Sequence, residues 1–246
     1  MRGKLVVGNW KMNGDLAQND RLLGDLRAGW RATEAREIAV CVPFPYLWQA
    51  QAALSGSAVA WGAQNVSEHE GGAHTGEVAA AMVAEFGCTF TIAGHSERRA
   101  NHGETDAMVA AKAAAALAAG LTPIVCVGET LAEREAGATE AVVTRQLGAV
   151  MARLGKRVAE TVIAYEPVWA IGTGKTATAD QAQRVHSLLR ANLRASGEAA
   201  GEIHLLYGGS VKASNARALF ACPDVDGALV GGASWVADEF LSIAGA

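Results

Sequence analysis

The amino-acid sequence predicts an α/β protein built as a closed (β/α)8 barrel. Short apolar or β-branched runs of strand length recur eight times, and each ends in glycine, proline or a polar residue. Segments rich in Ala, Leu, Glu and Arg, with helical spacing, separate most of these runs. Eight such units in 246 residues average about 31 residues each, close to the roughly 30 of a β-α-β element. Continuous apolar strands flanked by helices indicate a parallel sheet that is buried on both faces.

The strands and helices follow one another in a regular order. Predicted strands occupy residues 4–9, 37–43, 59–64, 90–94, 122–128, 161–167, 203–209 and 227–232. The clearest helical segments are 106–120, 138–156 and 179–197. No linker rich in Pro, Gly or Ser interrupts the series, so we expect residues 1–246 to form a single domain. The alternative architecture is an open, doubly wound sheet.

Composition and charge exclude several classes of function. The formal net charge is -4 and the sequence pI is near 5.9, which argues against binding to nucleic acid. The first residues, MRGKLVVGNWKMNG, contain too short an apolar run for a signal peptide, and no later run reaches transmembrane length. We therefore expect a soluble cytoplasmic protein without nucleic-acid or membrane partners.

The cysteines and histidines give no convincing metal site. The four cysteines lie far apart without a C-x-x-C pair, and Cys41, Cys88 and Cys126 sit in apolar runs, which predicts buried, reduced thiols. The segment SEHEGGAH (67–74) imitates the spacing of metal ligands. We interpret it as a polar loop and predict no metal.

Candidate functional residues lie where the predicted strands end. In a barrel of this type the chemistry is located at the carboxyl ends of the strands. The side chains and glycines at these positions are Asn9, Lys11, Gln64, Asn65, His95, Glu129, Glu166, Gly208, Gly209, Ser210, Gly231 and Gly232.

Three of these residues suggest proton transfer next to a carbonyl group. Glu166 ends a buried strand, and a carboxylate from which water is excluded suits a general base. His95 precedes a predicted helix with Ser96 as its N-cap, and the helix N-terminus disfavours an imidazolium, so we expect a neutral imidazole. Lys11 adds a cation, and the Gly-rich turns after strands seven and eight are where barrels bind phosphate. A small phosphorylated substrate, converted without a cofactor, fits this set.

The stretch EPVWAIGTGKTAT (166–178) offers a competing interpretation. Its centre imitates the end of a nucleotide-binding P-loop, but the motif requires a glycine at position 169, which is Trp169. A dinucleotide fingerprint should follow its strand directly, whereas Pro167 and four further residues intervene. The composition is instead typical of a lid that covers the end of the barrel. A P-loop-like nucleotide-binding protein, or an inactive barrel that serves as a scaffold, stays an alternative.

Longer motifs identify a family. They are GNWKMNG (8–14), GAQNVSEHEGGAHTGEV (62–78), GHSERR (94–99), PIVCVGETLAERE (123–135), AYEPVWAIGTGKTAT (164–178), LYGGSVK (206–212) and DGALVGGAS (226–234). Together they resemble the triosephosphate isomerase family from residue 4 to about residue 242. The resemblance implies a (β/α)8 TIM barrel. It also implies interconversion of dihydroxyacetone phosphate and D-glyceraldehyde 3-phosphate through an enediolate, in glycolysis and gluconeogenesis.

The resemblance assigns a role to each motif residue. Glu166 matches the base that moves the proton between two carbons, and His95 matches the neutral electrophile that polarises the carbonyl. Asn9 and Lys11 match a substrate-binding pair, and Glu97 matches a carboxylate close to that lysine. Phosphate binding is implied for Gly172, Ser210, Gly231 and Gly232.

The resemblance also implies a homodimer. The loop containing His74, Thr75, Gly76 and Glu77 is similar to the segment that docks into a neighbouring subunit in this family, and a long polar loop is otherwise unusual. One departure from the family pattern lies close to the expected phosphate turn. Trp235 stands where the pattern leads us to expect leucine after GGAS, and its effect on packing beneath that turn does not follow from the sequence.

Overall fold

The computed structural model describes residues 2–31, 33, 35–171 and 176–246. Eight parallel strands, β1 to β8, hydrogen-bond in sequence order, and β8 pairs with β1 to close the barrel. The predicted (β/α)8 architecture is therefore confirmed, and the open sheet is not. The strands are Lys4–Asn9, Arg36–Val42, Val59–Ala63, Phe90–Ala93, Thr122–Val127, Val162–Tyr165, Leu205–Tyr207 and Gly227–Val230.

Ten α-helices lie between and after the strands in the part of the chain that the structure describes. They are α1 Leu16–Gly29, α2 Leu47–Leu54, α3 Ala80–Ala84, α4 Ser96–His102, α5 Asp106–Ala118, α6 Leu131–Glu135, α7 Thr139–Leu154, α8 Ala179–Ala195, α9 Ala213–Phe220 and α10 Ala237–Ala244. The three helical segments predicted from sequence correspond to α5, α7 and α8.

Side-chain caps determine where several helices begin. The Asp15 side chain accepts from the backbone N–H of Gln18 at α1, and Thr105 accepts from that of Met108 at α5. At α8, Thr178 and Gln181 form a reciprocal capping box. Such caps satisfy N–H groups that have no partner inside the helix.

Side chains that alternate between the two faces of the strands form two apolar layers. Leu5 and Val7 of β1 point into the barrel, where they pack with residues such as Ile92 and Leu229. Val6, between them, faces outward and packs in the layer shared with the helices. Because both faces of each strand are buried, the strands read as continuous apolar runs rather than alternating ones.

The cysteines lie where the sequence predicted. Cys41 and Cys126 are inside the barrel, Cys88 is buried in the layer shared with the helices, and all three are free thiols. Burial raises the pKa of the Cys88 thiol to about 12 and that of Cys41 still further. Across the described ranges, none of the helices combines the length and apolar character needed to cross a lipid bilayer.

Candidate active site

A cavity of about 340 Å³ opens at the carboxyl end of the barrel. It brings together residues that are far apart in sequence, because parallel strands all end on this side. Of the predicted site residues, it is lined by Asn9, Lys11, His95, Glu166, Ser210, Gly231 and Gly232. Gly172, also predicted to bind phosphate, lies outside the described residues, as do Gly174 and Lys175 of the P-loop-like run.

Glu166 is held in the cavity by donors from the β4–α4 junction. Its carboxylate is buried, with Oε1 2.8 Å from His95 Nε2. Oε2 accepts from the backbone N–H of Ser96 at 2.8 Å, and the Ser96 hydroxyl lies 3.4 Å from Oε1. Burial raises the pKa of Glu166, but the contacts with His95, the Ser96 N–H and Lys11 outweigh it, so the net pKa is lowered. The carboxylate is therefore ionised at neutral pH.

Two glycines make room for Glu166, one beside its backbone and one beside its side chain. A Cβ at Gly208 would lie 2.9 Å from Glu166 Cγ, and a Cβ at Gly128 would lie 1.8 Å from the Glu166 carbonyl oxygen. Gly208 therefore does more than shape the turn after β7. It leaves the space that the general-base candidate occupies.

His95 caps helix α4, a role that the sequence suggested for Ser96. That prediction is wrong because Ser96 is already the first helical residue, and the His95 ring accepts a backbone hydrogen bond instead. Its Nδ1 accepts from the N–H of Glu97 at 3.2 Å, so the ring proton lies on Nε2, which donates to Glu166. Burial lowers the pKa of His95, while the Glu166 carboxylate raises it, and the net pKa is raised. The hydrogen bond from Glu97 favours the predicted neutral ring, and the carboxylate opposes it.

Asn9 ends β1, and Lys11 follows two residues later. The Lys11 ammonium pairs with the Glu97 carboxylate, whose other oxygen is 3.6 Å from His95 Nδ1. The Asn9 side chain accepts from the Lys11 backbone N–H at 3.0 Å. Lys11 has φ of 53°, and no other described residue besides glycine has a positive φ. Such backbone strain is maintained only where the surroundings impose it, and it clusters at functional sites.

The turns after β7 and β8 form the opposite wall. The Ser210 hydroxyl donates to the carbonyl of Ala170 at 2.8 Å, which joins the β7 turn to the segment after β6. Gly231 and Gly232 lead into a 3-10 helix, Gly232–Trp235. A Cβ at Gly231 would meet Lys11 Cε at 3.4 Å, so the lysine stem runs along this glycine.

Comparison with known proteins identifies the family. The profile described as triosephosphate isomerase matches residues 4–246. The chain belongs to the triosephosphate isomerase family. It is 62% identical over 246 residues to a triosephosphate isomerase from Thiobacillus denitrificans, covering 99% of this chain and 98% of that one. A triosephosphate isomerase from Paracidovorax citrulli is 62% identical over 242 residues, 98% of this chain and 96% of that protein. One from Cupriavidus taiwanensis is 59% identical over 248 residues and is covered completely, as is this chain.

Membership of the triosephosphate isomerase family confirms the resemblance and favours an isomerase over the alternatives. Glu129, the strand-end carboxylate after β5, does not line the cavity. It is buried, and its Oε1 accepts from Tyr165 at 3.2 Å and Trp169 at 2.9 Å.

Within the described ranges, no group of three or more His, Cys, Asp and Glu could hold a metal ion. In the SEHEGGAH loop, the rings of His69 and His74 stack at 3.7 Å, and both side chains are exposed.

Sequence reasoning missed three side chains at the site. Ser96 hydrogen-bonds the Glu166 carboxylate, and the Cys126 thiol lies against the same group, which together with burial raises the pKa of that thiol well above its usual range. Lys212 lines the cavity as a second cation. The sequence offered two signals. Cys126 occupies a position in the strand run TPIVCVG that faces the barrel interior, and Lys212 lies in the motif LYGGSVK. Neither reveals which side chain faces Glu166 or the cavity.

Proposed function

We propose that this protein interconverts dihydroxyacetone phosphate and D-glyceraldehyde 3-phosphate through an enediolate. The observation that carries this proposal is the 2.8 Å contact between Glu166 and His95 inside one cavity that Lys11 also lines. A base, a ring N–H and an ammonium converge there on a space large enough for a triose phosphate. The names of the relatives support the same reaction.

Glu166 removes the proton from one carbon and returns it to the next. A carboxylate positioned as general base contributes roughly 10²–10⁴-fold to the rate. In the structure it accepts from His95 Nε2 and from the Ser96 N–H. Substrate takes the place of His95 as the nearest partner, so the carboxylate gains access to the carbon acid while its burial keeps water away.

His95 and Lys11 stabilise the oxygen that becomes negative. The Nε2–H of His95 donates to the substrate oxygens, since its Nδ1 is engaged by the Glu97 N–H. Lys11 supplies positive charge, with Asn9 holding its backbone and Glu97 holding its ammonium. One well-placed oxyanion donor contributes about 10²–10³-fold to the rate.

The phosphate binds at the turns after β7 and β8. Ser210, Gly231 and Gly232 provide backbone N–H groups at this wall, and Lys212 adds charge. A Cβ at Gly232 would meet no atom within 4 Å, so the chain at this turn faces open space. Gly172 completes the phosphate site in this proposal, by analogy with the family motif.

The decisive experiment compares the parent with Glu166→Gln, which keeps the size of the side chain and removes the base. Purified protein in excess EDTA receives D-glyceraldehyde 3-phosphate, and dihydroxyacetone phosphate is followed with time. We expect rapid turnover by the parent and a kcat at least about 10²-fold lower in the variant. Folded parent that shows no turnover would overturn the proposal. Stabilisation by ATP would then favour a nucleotide-binding protein, and stabilisation by phosphate esters alone would favour a scaffold.

We further propose that the protein is a cytoplasmic homodimer that pairs through the loop containing His74, Thr75, Gly76 and Glu77. These loop residues are exposed in the single chain. Large apolar side chains are also exposed in the segments after the first three strands, and exposed apolar surface of this kind marks interfaces. These side chains are Met12, Trp48 and Met82.

Thr75→Arg tests the dimer. The added charge should disrupt docking of the loop, giving a monomer by sedimentation with reduced kcat/KM. Glu198→Arg, at an exposed position after α8, is the matched control and should leave the dimer intact. An active parent that sediments as a monomer at micromolar concentration contradicts the proposal.

A further inference from the structure

Trp235, where the resemblance led us to expect leucine, lies between the turns after β1 and β8. It ends the 3-10 helix Gly232–Trp235, which follows directly from the proposed phosphate turn after β8. The residue is only partly buried, so an apolar core is not its sole environment. Its neighbours show what an indole, which is larger than a leucine side chain and carries an N–H donor, does at this position.

The indole of Trp235 contacts both ends of the turn that carries Lys11. Its ring centroid is 4.7 Å from that of Trp10, with the planes inclined by 41°. Its Nε1 donates to the Trp10 carbonyl oxygen at 3.2 Å. At the other end, a Cβ on Gly14 would lie 2.9 Å from Trp235 Cη2, so the far edge of the indole fills the space beside that glycine.

Lys11 lies between these two contacts in a conformation that needs support. Its φ of 53° belongs to the left-handed region, which costs a non-glycine residue free energy. The carbonyl that Trp235 binds belongs to the residue immediately before Lys11. A leucine could pack on Trp10, but it could not donate to that carbonyl.

We propose that Trp235 is a positioning residue, which fixes the Lys11-bearing turn against the phosphate turn and so sets the distance between the ammonium and the bound phosphate. Its hydrogen bond joins the segment that would hold the phosphate to the segment that holds the cation. The inference rests on the proposed function, because it assigns a task within the same site.

Trp235→Phe separates this task from packing. The Trp10 carbonyl also accepts from the Asn13 side chain at 2.8 Å, so loss of the indole N–H leaves no unsatisfied acceptor. Since one net hydrogen bond contributes modestly, we expect KM for D-glyceraldehyde 3-phosphate to rise about 2- to 10-fold, with a smaller fall in kcat because Lys11 also stabilises the developing oxyanion. Trp235→Leu, which also removes the ring contacts, should raise KM further.

Trp30→Phe is the matched control. Trp30 is a buried indole at the end of α1, outside the cavity, and its Nε1 has no hydrogen-bond partner among the described residues. This variant should change thermal stability without changing KM. If both Trp235 variants lower only thermal stability and keep the parental KM, Trp235 is a packing residue and the inference is wrong.

A thermodynamic cycle tests whether Trp235 acts through Lys11. The dissociation constant of sn-glycerol 3-phosphate, an unreactive phosphate ester, is measured for the parent, Trp235→Phe, Lys11→Met and the double variant. We expect Trp235→Phe to weaken binding in the parent and to have no further effect when Lys11 is absent. Equal effects in both backgrounds overturn the inference. This cycle does not require turnover, so an inactive parent would refute the proposed function and leave the role of Trp235 measurable.

Discussion

At the scale of single residues, the site depends on a glycine without a side chain as much as on functional groups. Glu166 occupies space that is available because residue 208 has no side chain. A Cβ there would come within 2.9 Å of Glu166 Cγ and 3.1 Å of the Tyr165 carbonyl oxygen, and the latter belongs to rigid backbone. The carboxylate would have to move, and misplacement by about 1 Å can cost roughly 10²-fold in rate.

Gly208→Ala should therefore lower kcat by at least about tenfold while the protein stays folded. The matched control is Gly148→Ala, since a Cβ at this position in α7 meets no atom within 4 Å. In a helix interior that change should stabilise the protein by about 0.5–1 kcal/mol and leave kcat unchanged. Steady-state kinetics and circular dichroism distinguish the two variants. Parental kcat in Gly208→Ala would show that the carboxylate does not need this space.

At the scale of secondary structure elements, the strands were predictable and the details of their ends were not. Runs such as KLVVGN are apolar because both faces are buried, so β1 was predicted with its observed bounds, Lys4–Asn9. The run from 203 to 209 yields a strand of only three residues, Leu205–Tyr207. The N-cap of α4 was assigned to Ser96 because serine commonly caps helices, whereas the imidazole of His95 takes that role. Candidate catalytic residues could be located from the ends of the predicted strands. The contacts of Ser96 and Cys126 with Glu166 could not, because they depend on tertiary structure.

Helix α8 carries a buried histidine that should make the fold sensitive to acid. Burial lowers the pKa of His186 to about 4, with Arg190 acting in the same direction and Asp224 and Asp226 opposing. Its Nδ1 lies 3.1 Å from the Asp224 carbonyl oxygen, as expected for a neutral donor. The unfolded chain binds a proton below a pH of about 6.5, while the folded chain resists until about 4. The free energy of unfolding should fall between these values by about 2 kcal/mol at pH 5.

His186→Gln should abolish that part of the pH dependence. Urea unfolding of parent and variant is measured from pH 7 to pH 5, and the difference between their free energies of unfolding is plotted against pH. The difference should shift in favour of the variant as the pH falls, whatever its value at pH 7. Parallel curves would contradict a depressed pKa for His186.

At the scale of the whole molecule, a charged cluster lies beside the start of β8, the strand that pairs with β1 to close the barrel. Asp226 directly precedes β8 and accepts from the Leu205 N–H at 3.0 Å and from Arg2 Nε at 2.9 Å. Its carboxylate also pairs with the Arg190 guanidinium, and both side chains are buried. The cluster therefore joins the chain before β1, the helix α8 and the starts of β7 and β8, opposite the end where substrate would bind.

Asp226→Asn tests whether barrel closure and catalysis are separable. Asparagine keeps the size and an acceptor oxygen but leaves the buried Arg190 with Asp224, 3.5 Å away, as its nearest carboxylate. Removing one partner of a buried ion pair typically costs about 3–5 kcal/mol, so we expect a loss of about 3 kcal/mol in the free energy of unfolding. The kcat of the folded variant should stay within about twofold of the parent, because the cluster does not line the cavity. Urea unfolding and kinetics at low temperature measure the two effects. A loss of kcat in fully folded protein would show that the two ends of the barrel are coupled.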